Sequence, residues 1–143
     1  MRIFSWNKEL ESGIEQIDAQ HKQLLETANS LIIRGKCGNG ALAVSENLGY
    51  LEKYTQYHFQ SEEAFQVNSG YSGYREHQAL HLSISTQLKF LSVKLDQSNY
   101  NEKELENFYQ FFIDWIKNHI LVEDLKFAKF YKQYLVDCNR TVS

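Results

Sequence analysis

Apolar positions recur at alternating steps of three and four along most of this chain, the spacing that gathers them on one side of an α-helix. Ile17, His21, Leu24, Ala28 and Leu31 form one such stripe. Leu48, Leu51, Tyr54, His58, Glu62 and Phe65 form a second, and Tyr74, His77, His81, Ile84, Leu88, Leu91 and Leu95 a third. A fourth runs through Leu105, Phe108, Phe112, Trp115 and His119. Asp18 reads as the N-cap of the first helix, and the turn from Gly35 to Gly40 ends it. The second helix is expected from about Ala41 to Gln66, the third from about Ser72 to Leu95, and the fourth from near Asn101. Leu125 to Leu135 reads as a short further helix. Residues 1–17 read as an arm whose Ile3, Phe4, Trp6 and Ile14 tuck against the body.

No proline interrupts these segments from within. Helices of about 20 residues are roughly 30 Å long, and short connections make sequential helices antiparallel neighbours. The expectation is an all-α protein: an up-down-up-down antiparallel four-helix bundle with an N-terminal arm (1–17), the bundle proper (about 18–124) and a short C-terminal helix (about 125–135). The 143 residues suffice for one domain with its own core.

Charge narrows the partners. A net charge of -3 with a pI near 5.9 gives no basic footprint, so neither nucleic acid nor an anionic membrane surface is expected as partner. No apolar run is long enough to span a bilayer. The first residues lack the pattern of a secretory signal, so the cytoplasm is the expected location. Cys37 and Cys138 form neither CxxC nor CxxCH, which excludes covalent haem attachment and a thiol redox motif; two free thiols are expected. The sequence specifies no protein partner.

The stripes also carry polar residues that do not belong in an apolar core. His21, His58, His77, His81 and His119 all fall on core-facing positions, and Glu62 joins them. A buried carboxylate costs several kcal/mol unless it is paired or coordinated. Five imidazoles from four helices, with a carboxylate among them, cannot satisfy one another without a cation. Imidazole and carboxylate are ligands that a non-haem iron pair uses. His58 with Glu62, and His77 with His81, stand one helical turn apart on one face. Asp124 is a different case. Five residues at about 100° each leave it about 140° from His119, so it points inward only if the fourth helix ends or bends near Ile120–Glu123. On spacing alone Glu123 is the rival ligand.

Taken together, Trp6-Asn7, the run from Gly13 to Lys22, His58-Phe59-Gln60-Ser61-Glu62-Glu63, His77-Gln78-Ala79-Leu80-His81 and Trp115 to Ile120 with Asp124 resemble the hemerythrins, in particular their single-domain bacterial members. The resemblance spans nearly the whole chain and fills all seven ligand positions. It implies two non-haem iron ions that bind dioxygen reversibly. His77, His81 and His119 would ligate one iron, and His21 and His58 the other, which keeps an open position. Glu62 and Asp124 would bridge them, with an oxo or hydroxo group as third bridge; the family pattern thus prefers Asp124 to Glu123. Gln66 and Ser72 depart from it, standing where relatives often have Met and Pro. Phe59, Trp115 and Ile120 are candidate walls of a dioxygen pocket and equally suit an ordinary bundle core.

Ligand charge favours binding over oxidation. Two ferrous ions carry four positive charges, and two carboxylates with one hydroxide offset three of them. Oxidising di-iron bundles use more carboxylates and a Glu-x-x-His motif on two helices, whereas no Glu stands three residues before any histidine here. The expected function is therefore an oxygen carrier, store or local sensor. The alternatives are a di-iron enzyme acting on peroxide or nitric oxide, and a bundle held by a structural metal.

Overall fold

The computed structural model describes residues 4–142, with side chains through residue 139. The chain folds as an all-α bundle, as the stripes predict. Its helices are α1 (Glu15–Lys36), α2 (Gly40–Ser69), α3 (Tyr74–Gln97), α4 (Glu102–Trp115) and α5 (Asp124–Val142), and an eight-residue π-helical segment, Ile116–Glu123, joins the last two. α4, the π segment and α5 follow without a break, so together they act as the fourth element of the bundle. The C-terminal helix is accordingly longer than the sequence pattern suggests and begins at Asp124 itself.

Tight turns set the up-down order. Gly70 ends α2 in the left-handed region (φ 72°), and the Tyr71 N–H donates to the Gln66 carbonyl, satisfying the last turn. Asn101 caps α4 by accepting the Glu104 N–H at 2.9 Å. At the turn between α1 and α2 the hydroxyl of Tyr109 is wedged between two glycines: a Cβ on Gly35 or on Gly40 would lie 2.5 or 2.6 Å from it.

The start of α1 differs from the expected cap at Asp18. The helix begins four residues earlier in chain direction, after Ile14, whose N–H is held by the Ser12 hydroxyl at 3.0 Å. Asp18 sits in the first turn and accepts the Ser12 N–H at 2.8 Å, so its carboxylate reaches back to tie down the arm instead of capping the helix. In the arm, Phe4 exchanges two hydrogen bonds with the buried Asn29 amide and enters the core, while Lys22 lies over the Trp6 ring. Ile3 lies outside the described residues.

Two apolar clusters fill the bundle. The larger holds Leu24, Ala28, Leu48, Leu51, Leu88, Leu95, Phe108, Phe112 and Trp115; the smaller holds Ile14, Ile17 and Phe127, with Phe65 and Tyr71 against it. α1, α2 and the fourth element each pass from one cluster to the other through a polar layer, and α3 runs from that layer into the larger cluster. The order is Ile17, His21, Leu24 on α1, and Leu51, His58, Glu62, Phe65 on α2. On α3 His77 and His81 precede Ile84 and Leu88, and in the fourth element Trp115 leads to His119, Asp124 and Phe127. Among the described residues no helix is long and apolar enough to cross a membrane.

Candidate metal centre

The polar layer is buried. His21, His58, His77, His81, His119, Glu62 and Asp124 are each at most 4 % exposed. Asp124 enters this layer because the fourth element runs on past His119 with a different winding, so the simple α-helical angle between the two residues does not apply. The helix widens. The Asp124 N–H donates to the His119 carbonyl five residues back, and this i→i+5 turn carries residue 124 almost one full turn on from residue 119. Glu123, the rival on spacing, points outward and pairs with Lys126 at 3.2 Å.

Asp124 lies at the middle of the cluster. Its Oδ1 is 2.8 Å from His77 Nε2 and 3.0 Å from His119 Nε2; its Oδ2 is 2.9 Å from His21 Nε2 and 3.3 Å from His58 Nε2. Glu62 Oε1 is 2.7 Å from His77 Nε2 and 3.1 Å from His81 Nε2. All five imidazoles therefore present the same nitrogen to the same small volume.

Several of these approaches are not hydrogen bonds. Both Glu62 oxygens, His81 Nε2 and His119 Nε2 are buried without a hydrogen-bond partner despite their short separations. The protons are fixed from outside. Ser61 spends its one hydroxyl hydrogen on the Tyr57 carbonyl at 2.8 Å, so it accepts from Gln20 Nε2 at 3.1 Å. That turns Gln20 Oε1 toward His58 Nδ1, at 2.8 Å. His58 must then donate from Nδ1, and its Nε2 lone pair faces Asp124. His81 Nδ1–H donates to the Glu63 carboxylate in the same way at 2.8 Å, which turns the Nε2 lone pair toward Glu62. Lone pairs opposed at such distances repel unless a cation lies between them. Metal–ligand bonds of about 2.1 Å at right angles separate neighbouring ligand atoms by about 3 Å, which is the spacing seen here.

Electrostatics point the same way. Burial and the Asp124 charge push the Glu62 carboxyl up, yet contacts with His77, His81 and His58 leave it below its usual value. Burial likewise opposes ionisation of Asp124, but His119, His21 and His58 hold it well below the carboxylate range. At His77, burial is outweighed by Asp124 and Glu62, which raise it to about 10. His21 is raised, against burial, by Asp124 and Glu62. His58 is lowered, chiefly by burial, and stays neutral. Two ionised carboxylates in a buried core thus demand positive charge, which a proton on His77 supplies when no metal does.

The donors fall into two overlapping groups. Glu62, His77, His81, His119 and Asp124 offer atoms within 4.8 Å of one another, as do His21, His58, Glu62 and Asp124. The two carboxylates are common to both.

The domain described as Hemerythrin HHE cation binding domain matches residues 12–131. The chain belongs to the hemerythrin family. A bacteriohemerythrin of Clostridium acetobutylicum is 29 % identical over 131 residues, covering 87 % of this chain and 98 % of the relative. A bacteriohemerythrin of Stenotrophomonas maltophilia is 27 % identical over 135 residues, 94 % of this chain and 86 % of the relative. The myohemerythrin of Riftia pachyptila is 26 % identical over 124 residues, 87 % of this chain and 90 % of the relative.

In this hemerythrin-family chain the sequence pattern overlooks two residues at the site, Gln20 and Glu63. Glu63 reads as a solvated neighbour of Glu62, but its side chain is 21 % exposed and also accepts from Gln78. Each follows or precedes a cluster residue directly, a signal too common to single either out. Phe59, Trp115 and Ile120 are all buried. Phe59 stacks on the His81 ring at 3.9 Å with 9° between planes and meets Trp115 edge-on at 6.0 Å.

Proposed function

We propose that this chain binds dioxygen reversibly at a non-haem di-iron centre, as a carrier, store or local sensor. The observation that carries this reading is the split of one buried donor set into a three-imidazole group and a two-imidazole group that share both carboxylates. His77, His81 and His119 would hold one iron and His21 and His58 the other, with Glu62 and Asp124 available to both. The two-imidazole end offers one protein ligand fewer, so a metal held there would have room to take dioxygen. When bound, the iron pair supplies the electrons that dioxygen accepts.

The protein's part is to position and to exclude. Gln20 and Glu63 fix the tautomers of His58 and His81, so that Nε2 is the nitrogen offered. Phe59, Trp115 and Ile120 keep the layer dry, slowing loss of the oxygenated form. The test is spectroscopic. Reduced, iron-loaded protein is expected to be nearly colourless, to colour in air, and to bleach again on degassing. A protein that never colours, or that colours once and cannot be reversed, overturns the reading.

A further inference from the structure

The two halves of the cluster are held from outside by chemically different groups. On the three-imidazole side, His81 donates to a carboxylate, Glu63, at 2.8 Å. On the two-imidazole side, His58 donates to a neutral amide, Gln20, at the same distance, and Ser61 with Tyr57 locks that amide in place. An acceptor with a full negative charge leaves the imidazole a stronger donor through its other nitrogen than an uncharged acceptor does.

We infer that Glu63 and Gln20 grade the cluster, Glu63 making the three-imidazole half the tight site that fills first and Gln20 leaving the two-imidazole half the weaker site that fills second. This rests on the metal-pair reading above and adds an order to it. Both are positioning residues, acting on a metal only through a histidine. Grading has a consequence for the helices: the ligands of the first ion come from α2, α3 and the fourth element, and α1 contributes a ligand, His21, only to the second.

The substitutions that test this are near-isosteric and change the charge behind one histidine. Glu63→Gln keeps an oxygen able to accept from His81 and removes the negative charge, at the cost of the bond accepted from the exposed Gln78; Gln20→Glu adds a charge beside His58 and gives up the donation to Ser61. Anaerobic titration of the metal-free full-length chain with cobalt(II), followed by visible absorption, is expected to show two steps. His21→Ala is expected to abolish the weaker step and spare the tighter, which assigns each step to its half. Glu63→Gln is expected to weaken the tight step about 10–100-fold and leave the weaker one in place, the range usual for outer-shell substitutions. Gln20→Glu is expected to strengthen the weaker step and narrow the gap. Thermal midpoints of the metal-free variants check that each folds as the parent does. If the parent binds two ions but Glu63→Gln weakens both steps alike or neither, the grading is wrong and the metal pair stands. If the parent takes up fewer than two ions, both fall.

Discussion

The backbone N–H of Asp124 donates to the carbonyl of His119, five residues before it, and this bond decides what the C-terminal third of the chain does. With the ordinary i→i+4 register, Asp124 would face away from the bundle axis and Glu123 toward it. The wider turn exchanges them. It also allows α4 to run on into α5 with no loop between, so Phe127 reaches the small cluster beneath the histidine layer. π segments within longer helices are rare and often mark functional sites, and here the irregularity delivers one side chain to four imidazoles.

Because Asp124 and Glu62 are shared by both donor groups, removing either is expected to empty both positions. Asp124→Ala and Glu62→Ala proteins loaded with ferrous iron are expected to retain well under one ion per chain, measured as metal per protein after desalting. Retention of one full ion by either variant contradicts a bridging role. Glu123 is not expected to substitute, since it faces outward to Lys126.

The metal-free protein should respond to alkali. His77 has its pKa raised from 6.5 to about 10, against burial, by Asp124 and Glu62. A raised pKa contributes stability that is fully present below about 6.5 and is lost as pH climbs through about 10. The thermal midpoint of the metal-free chain is therefore expected to fall across that window, by an amount on the order of a few kcal/mol in stability. A metal ligand carries no such proton, so the loaded protein should show little of this slope. Metal uptake should in turn release protons and weaken as pH falls.

Phe59 covers the His81 ring from within the layer. Phe59→Leu is expected to cost about 1–2 kcal/mol in chemical denaturation, for the lost ring contacts and the space left behind. It is also expected to shorten the lifetime of the oxygenated form, followed by the decay of its visible band. A variant less stable but with an unchanged lifetime would make Phe59 core material only.

Tyr109 and Gly40 offer a test of packing away from the site. Gly40→Ala places a methyl 2.6 Å from the Tyr109 hydroxyl and 3.2 Å from the Gly35 Cα, with the Tyr109 ring carbon at 3.8 Å. Alone it is expected to destabilise the protein by about 1–3 kcal/mol. In a Tyr109→Phe background, where the closer contact is gone and only the Gly35 approach remains, part of that loss should return. Additive effects in the double variant would mean that the strain lies elsewhere.

Helical stripes made much of this legible in one dimension. A residue three or four places from a core leucine faces the core whatever the neighbouring helix does, so the inward direction of His21, His58, Glu62, His77, His81 and His119 follows from α-helical period alone. Each of the six is buried. Asp18 shows where local signals mislead: its chemistry suits an N-cap, but α1 starts after Ile14 with no side-chain cap, and Asp18 instead holds the Ser12 N–H. Glu63 shows the same at the site. As a glutamate on the polar flank of a helix it looks solvated, and only the approach of α3 sets His81 beside it.

What the sequence determined by itself is therefore the set of parts: an all-α bundle, the faces its helices bury, and a store of imidazoles and carboxylate too polar for an apolar core. Those are consequences of period and composition, which each segment carries without its neighbours. Tertiary structure decided the rest. Which histidines share a carboxylate, which have a charged partner behind them, and which way residue 124 faces all depend on distances between helices. The last depends on a helix wound wider than its own propensities ask, in the stretch that brings His119 and Asp124 to imidazoles of α1, α2 and α3 at once.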